Sequence, residues 1–153
     1  MSDSLAVLDE EIRDLKLHIG ANVEFPPNCF LAMKAEFIEY ESRQSLTVAF
    51  PILKESLNPL RTMQGGFLAA AFDNAFGPLS YLAARCPCVT LNLNTQFIRS
   101  LGLDERLTVR AKVVSRSKEV LQMTGEAFNS RNKLVALATA TATMLQSNRR
   151  TPS

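Results

Sequence analysis

The sequence predicts an α+β fold in which a curved antiparallel sheet of about six strands wraps one central helix. Three observations carry the prediction. A segment from about Gly65 to Ala84 has apolar residues on every side, the mark of a helix enclosed by other structure. After it, four segments alternate apolar and polar residues with period two, as half-buried strands do. The turns joining these later segments are short enough for antiparallel neighbours.

The elements follow in order. Leu5, Leu8, Ile12, Leu15 and Ile19 recur at helical steps, so an amphipathic helix is expected to end at Gly20, a residue suited to the left-handed cap conformation. After the linker "NVEFPPN", strands are expected over about Leu31 to Tyr40 and Ser45 to Ile52, turning at "ESRQ". The enclosed helix comes next, interrupted at Gly77 and Pro78, where the missing N–H of proline would leave the Asn74 carbonyl unbonded and kink the axis. In "VTLNLNTQF", Val89, Leu91, Leu93 and Phe97 alternate with Thr90, Asn92, Asn94 and Gln96; "LTVRAKV" repeats the pattern. Two more strands are expected near Val120 to Asn129 and Leu134 to Gln146. In the last, Ala136, Ala138, Ala140 and Ala142 share one face, small enough for a helix to approach closely. The expected organisation is an N-terminal helix over 1–22, one domain over 23–147 and a tail over 148–153, consistent with 153 residues of which 46% are hydrophobic and 21% charged.

Several functional classes are disfavoured. The opening "MSDSLAVLDEEIRDLK" is acidic where a secretory signal is basic and then apolar, and no apolar run approaches the ~18 residues that span a bilayer, so a soluble cytoplasmic protein without a membrane role is expected. Cys29, Cys86 and Cys88 lack metal or redox spacing and read as buried thiols. A formal charge of +2 with dispersed basic residues offers no footprint for nucleic acid, and Arg149 and Arg150 read as a solvated tail. The lone histidine, His18, sits on the first helix and reads as a surface residue, so a Ser/His/Asp or Cys/His site is not expected. No phosphate-binding loop, dinucleotide fingerprint or cluster of metal ligands is present, and no cofactor is expected.

One residue stands against its surroundings. Asp73 lies in a helix otherwise built for burial, where an ionised carboxylate must be paired, hydrogen-bonded or protonated. A helix acid at a subunit interface, or one capping nearby backbone, is the plain alternative to a catalytic one. Gln64, Gly65 and Gly66 open the same helix, where unsatisfied N–H groups and the positive dipole end can hold a developing oxyanion. The nine residues from Gln64 to Asp73 span about 13 Å of helix rise, too far for both ends to act on one atom within one chain. A two-fold partner could bring its own Asp73 to this helix start, and the open edges of a single sheet also favour pairing of two copies.

The stretch "NPLRTMQGGFLAAAFDNAFG" resembles that of the PaaI-type hotdog thioesterases: Asn58, then Gln64 six positions on, then Gly65 and Gly66, then Asp73 nine positions after Gln64. In element order the resemblance runs from about Glu24 to Leu145. It implies a hotdog fold, a homodimer with one continuous sheet and two central helices that pairs again into a homotetramer, and active sites between subunits. It implies hydrolysis of acyl-CoA, with Asp73 as nucleophile or general base, the Gly65 N–H on the thioester carbonyl, and Asn58 holding the attacking water or the thioester end. Thr90 falls where relatives often carry Ser or Thr near the acid and could orient water; its alternative is an ordinary strand threonine. Gly66 and Met63 would contact substrate, with Phe67, Phe72 and Phe76 among residues that could shape the acyl pocket. Arg99 and Arg116, with Arg106, Lys118 and the Arg149/Arg150 pair, are candidates for the coenzyme A phosphates.

The chain departs from the family pattern at Gln64, where many relatives have histidine. Glutamine can donate and accept hydrogen bonds but cannot carry a proton at neutral pH. A non-catalytic acyl-ligand binding protein is therefore the alternative to a hydrolase. A transcriptional regulator lacks its helix-turn-helix, and the hotdog dehydratases and hydratases rely on a histidine that is not placed here.

Overall fold

The computed structural model describes residues 2–20 and 22–145. The expected tail over 148–153, with Arg149 and Arg150, lies outside the described residues, as does the expected end of the last strand at Gln146. The elements are α1 (Asp3–Ile19), α2 (Asn28–Ala32), β1 (Glu36–Glu41), β2 (Ser45–Pro51), α3 (Gly65–Ala84), β3 (Cys88–Phe97), β4 (Arg106–Arg116), β5 (Val120–Phe128) and β6 (Leu134–Met144), with a short 3-10 turn at Lys54–Ser56. The six strands form one antiparallel sheet in the order β1-β2-β4-β5-β6-β3. The sheet wraps α3, and this is the hotdog architecture with an added N-terminal helix.

α3 is enclosed as its composition requires. Phe72, Phe76, Ala71, Ala75 and Leu79 have no exposed surface, and full burial of one such phenylalanine contributes about 1.5–3 kcal/mol. The sheet makes room for these rings with small residues. Ala136, Ala138, Ala140 and Ala142 of β6 are all buried, and at Gly125 of β5 a Cβ would stand 2.9 Å from both the Phe72 and Phe76 rings. Those two rings stack with centroids 6.1 Å apart.

The expected interruption of this helix does not occur. α3 runs unbroken through Gly77 and Pro78 to Ala84, because packing on most of its sides outweighs one missing N–H; Ser80 Oγ donates to the Gly77 carbonyl at 2.7 Å. The helix ends at Arg85, which takes the left-handed conformation (φ 56°).

The first expected strand begins five residues too early. Leu31 and Ala32 belong to α2, whose Phe30 is buried against the Phe37 ring at 4.6 Å, and Lys34 in the left-handed region (φ 51°) separates α2 from β1. Apolar spacing in "FLAM" served one short helical turn, which period-two counting cannot exclude. β3 is corrected in phase. A bulge between Thr90 and Asn92 inserts one residue, so Thr90 lies opposite Ala142 and Leu93 opposite Ala140, on the face toward α3. Val89 and Leu91 are consequently exposed, at 46% and 62%.

α1 buries Leu8 and Leu15, half-buries Leu5, Ile12 and Ile19, and lies against β1 and α3. Its Glu11 carboxylate accepts hydrogen bonds from the Tyr40 hydroxyl at 2.5 Å and from Ser42 Oγ, while Tyr40 Oη accepts the Arg43 N–H at 2.9 Å. The helix is thus pinned to the β1–β2 hairpin by a buried phenol. Burial, and then the bond to Glu11, push the Tyr40 phenol above its ordinary value of 10.0.

This packing sets two expectations for stability. Gly125→Ala is expected to lower stability by about 1–3 kcal/mol in urea unfolding, because the new methyl meets two rings that cannot move. Tyr40→Phe is expected to lower it by about 1–2 kcal/mol at neutral pH. A group whose folded value is raised stabilises below its unfolded value and loses that contribution as pH rises past it, so the gap between wild type and Tyr40→Phe should be full below pH 10 and narrow above it.

Candidate active site

Asp73 is not buried within the chain. Its neighbours Phe72 and Asn74 are, but the Asp73 carboxylate is exposed at the mouth of a cavity of about 440 Å³ and accepts a hydrogen bond from Thr90 Oγ1 at 2.9 Å. The acid therefore escapes the desolvation cost that its apolar helix implied. Thr90 reaches it only because the β3 bulge turns that residue toward α3; strict alternation sets it with the polar, outward residues.

The cavity lies between α3 and the segment leading into α2. Asp73, Gly77 and Tyr81, spaced one helical turn apart, form one wall with Asn74 and Pro78, and Val23, Phe25, Pro27 and Cys29 form the facing one. Asn74 joins the two. Its Nδ2 contacts Met33 Sδ at 3.3 Å and its Oδ1 accepts from the Cys29 thiol at 3.2 Å, so a buried amide beside the acid holds the α2 segment in place. Val23, Phe25, Cys29 and Tyr81 were not singled out from the sequence. Tyr81 was legible as the residue two helical turns beyond Asp73; the linker residues carry no local signal.

The other expected site residues gather at the far end of α3. Gln64 is its exposed N-cap, and its carbonyl accepts the N–H groups of Phe67 and Leu68 at 3.0 and 3.2 Å. Among the described residues the Gly65 and Gly66 N–H groups find no acceptor, and the Phe97 ring packs over Gly65 so closely that a Cβ there would stand 3.0 Å from it. Asn58 shapes the preceding loop: its Oδ1 accepts the N–H groups of Leu60 and Thr62 at 3.0 and 3.1 Å, and its Nδ2 donates to Thr62 Oγ1 at 3.0 Å. Met63 is buried and lines a second cavity of about 350 Å³ with Met33 and Phe67. Because α3 is unbroken, about 13 Å of helix rise still separates this cluster from Asp73.

The arginines are anchored by backbone. Arg99 Nη1 donates to the Leu134 carbonyl at 2.7 Å, and Arg116 Nη1 donates to the Ala83 carbonyl at 2.8 Å at the end of α3, where the dipole favours a cation. Arg106 pairs with Glu36 at 2.7 Å. Among the described residues no group of three metal-ligating side chains is present, and no helix is long and apolar enough to cross a membrane. All three cysteines are free, but the expectation of burial holds only for Cys88; Cys86 is half-buried and Cys29 is exposed. Burial pushes the Cys88 thiol up to about 12, and also raises the Tyr81 phenol.

The fold agrees with comparison to known proteins. The Thioesterase superfamily model matches residues 61–136. A mutant form of the phenylacetic acid degradation protein PaaI from Thermus thermophilus is 30% identical, with 76% of this chain and 97% of that one covered and a TM-score of 0.70. The Escherichia coli PaaI protein, from the phenylacetic acid degradation operon, is 19% identical over 95% of this chain and 97% of that one, with a TM-score of 0.78. A hypothetical thioesterase protein from Streptococcus pneumoniae, determined with coenzyme A, is 19% identical over 88% and 96%, with a TM-score of 0.71. Comparison with curated proteins gives no match. The chain belongs to the PaaI-type hotdog thioesterase family.

The thiols make the site testable without substrate. In a short pulse of iodoacetamide near pH 8, Cys29 should be alkylated and Cys88 should remain unmodified, since almost none of a thiol pushed to about 12 is thiolate there. Peptide mass spectrometry reads the order; equal labelling of both would contradict the burial of Cys88.

Proposed function

We propose that this chain hydrolyses acyl-CoA thioesters to the free acid and coenzyme A, with Asp73 as nucleophile or general base. The observation that carries the reading is the exposed Asp73 carboxylate, set at the mouth of a largely apolar cavity with the Thr90 hydroxyl on it at 2.9 Å. Family membership supports the reaction class, and the coenzyme A complex of the S. pneumoniae relative supports the carrier. Residues 23–147 are the proposed thioesterase domain, with 1–22 as a helical extension, and the free thiols fit a reducing, cytoplasmic setting.

The chemistry requires two copies. Asp73 of one chain takes a proton from a water whose oxygen attacks the thioester carbonyl carbon, or attacks that carbon itself to form an acyl-aspartyl anhydride that water then hydrolyses to the free acid, while the open Gly65 N–H at the start of the other chain's α3 receives the developing oxyanion. Thr90 holds one oxygen of the carboxylate so that the other faces the reacting centre. Asn58 is the proposed holder of the attacking water or the thioester end, and Gly66 and Met63 are the proposed substrate contacts. The carbon–sulfur bond then breaks and coenzyme A leaves. Its thiol ionises in the ordinary thiol range of about 8.5, so it departs without a strong acid, and Gln64, which has no proton to give, is compatible with turnover. Arg99 and Arg116 are the proposed phosphate contacts, and pairing of dimers into a tetramer is the proposed assembly.

Gln64 also favours a second reading, an acyl-CoA binding protein without turnover. Release of free thiol from a panel of acyl-CoAs separates the two. Asp73→Asn and Asp73→Ala are expected to lower kcat by about 10²–10⁴-fold. Thr90→Val is expected to lower it by about tenfold, from the loss of one hydrogen bond to a charged group. Full activity in either Asp73 variant would refute the mechanism, and saturable binding with no turnover by wild type would establish the second reading.

A further inference from the structure

Gly77 occupies a position that glycine should not hold. It lies in the interior of α3, where glycine is the least favourable residue after proline, and its backbone is not in the positive-φ region that would require it. Packing does not require it either. A Cβ built at Gly77 meets nothing within 4 Å, whereas at Gly125 the same atom stands 2.9 Å from two rings. The empty space beside Gly77 is the Asp73 cavity, of which it is a lining residue between Asp73 and Tyr81.

We infer that Gly77 is a specificity-determining residue that sets how long an acyl group the site accepts. The inference rests on the proposed acyl-CoA reading and adds the course of the acyl chain. From the carbonyl held at Asp73 the chain runs along α3, crosses the bare backbone of Gly77 about 6 Å further on by helix rise, and ends against Val23 and the Phe25 and Tyr81 rings, which pack with centroids 6.5 Å apart. Val23 and the two rings give that end an apolar surface for an acyl tail, with Glu24 also lining the cavity. Short acyl groups end before Gly77; longer ones pass over it. A side chain at position 77 projects into the path without meeting protein, so it shortens the pocket and leaves the core alone.

The test measures Kd for non-hydrolysable thioether analogues of butyryl-, hexanoyl- and decanoyl-CoA, alongside kcat/KM for the matching thioesters, in wild type, Gly77→Ala and Gly77→Leu. Gly77→Leu should reduce decanoyl relative to butyryl affinity at least about tenfold, the scale of misfitting even one methylene in an apolar pocket. Gly77→Ala should shift the ratio less, in the same direction, and raise Tm, since it removes a helix glycine and touches nothing. If Gly77→Leu does not fold, the Gly77→Ala ratio decides. An unchanged ratio, or equal weakening at every length, overturns the inference. Binding that shows the shift without turnover by wild type overturns the hydrolase reading alone, and no binding of any analogue by wild type overturns both.

Discussion

The close approach of α3 to the sheet is the constraint from which the rest follows. Phe72 and Phe76 are wholly buried against Gly125 and the alanines of β6, leaving no room for a larger side chain on that side. A helix held this tightly has little freedom to rotate or bend, because close-packed interiors resist displacement. It continues unbroken past a proline that would break an exposed helix. The stripe of Asp73, Gly77 and Tyr81, which is not buried, is thereby fixed in direction, and it lines the cavity.

A second layer of detail completes the site. The β3 bulge turns one threonine inward at the level of the acid, and the Asn74 amide ties the α2 segment to α3 through two sulfur contacts. Asn74 is buried where Asp73 is exposed, so adjacent residues of similar shape serve opposite purposes: one positions the cavity wall and the other faces the cavity. The unbroken helix also keeps the glycines at its start about 13 Å of helix rise away from its own Asp73 carboxylate.

Much of the fold was legible because the signals were long. Seven residues of alternation in β4, a longer run in β6, and twenty residues of all-round apolarity in α3 leave few structural solutions. Short or interrupted signals misled. Leu31 and Met33 read as strand residues and belong to a single helical turn and its exit, and the alternation of Val89 and Leu91 with Thr90 hid a bulge. In the site, Asp73 and the glycines at the start of α3 stood out as residues at odds with their surroundings, whereas Phe25 looked like an ordinary linker residue and Cys29 like a buried thiol.

By itself, the sequence determined the order of the long helices and the strands, the enclosed helix, the small-residue face of β6 and the acid placed among apolar neighbours. These depend on periodicity and residue size, which are properties of neighbours along the chain. Only the tertiary structure decided that Asp73 faces a cavity, that Thr90 reaches it and that the helix survives Pro78. Each of those depends on what residues distant in sequence do when packed together: a one-residue shift in strand register, a linker folded over a helix face, and burial strong enough to outweigh a missing hydrogen bond.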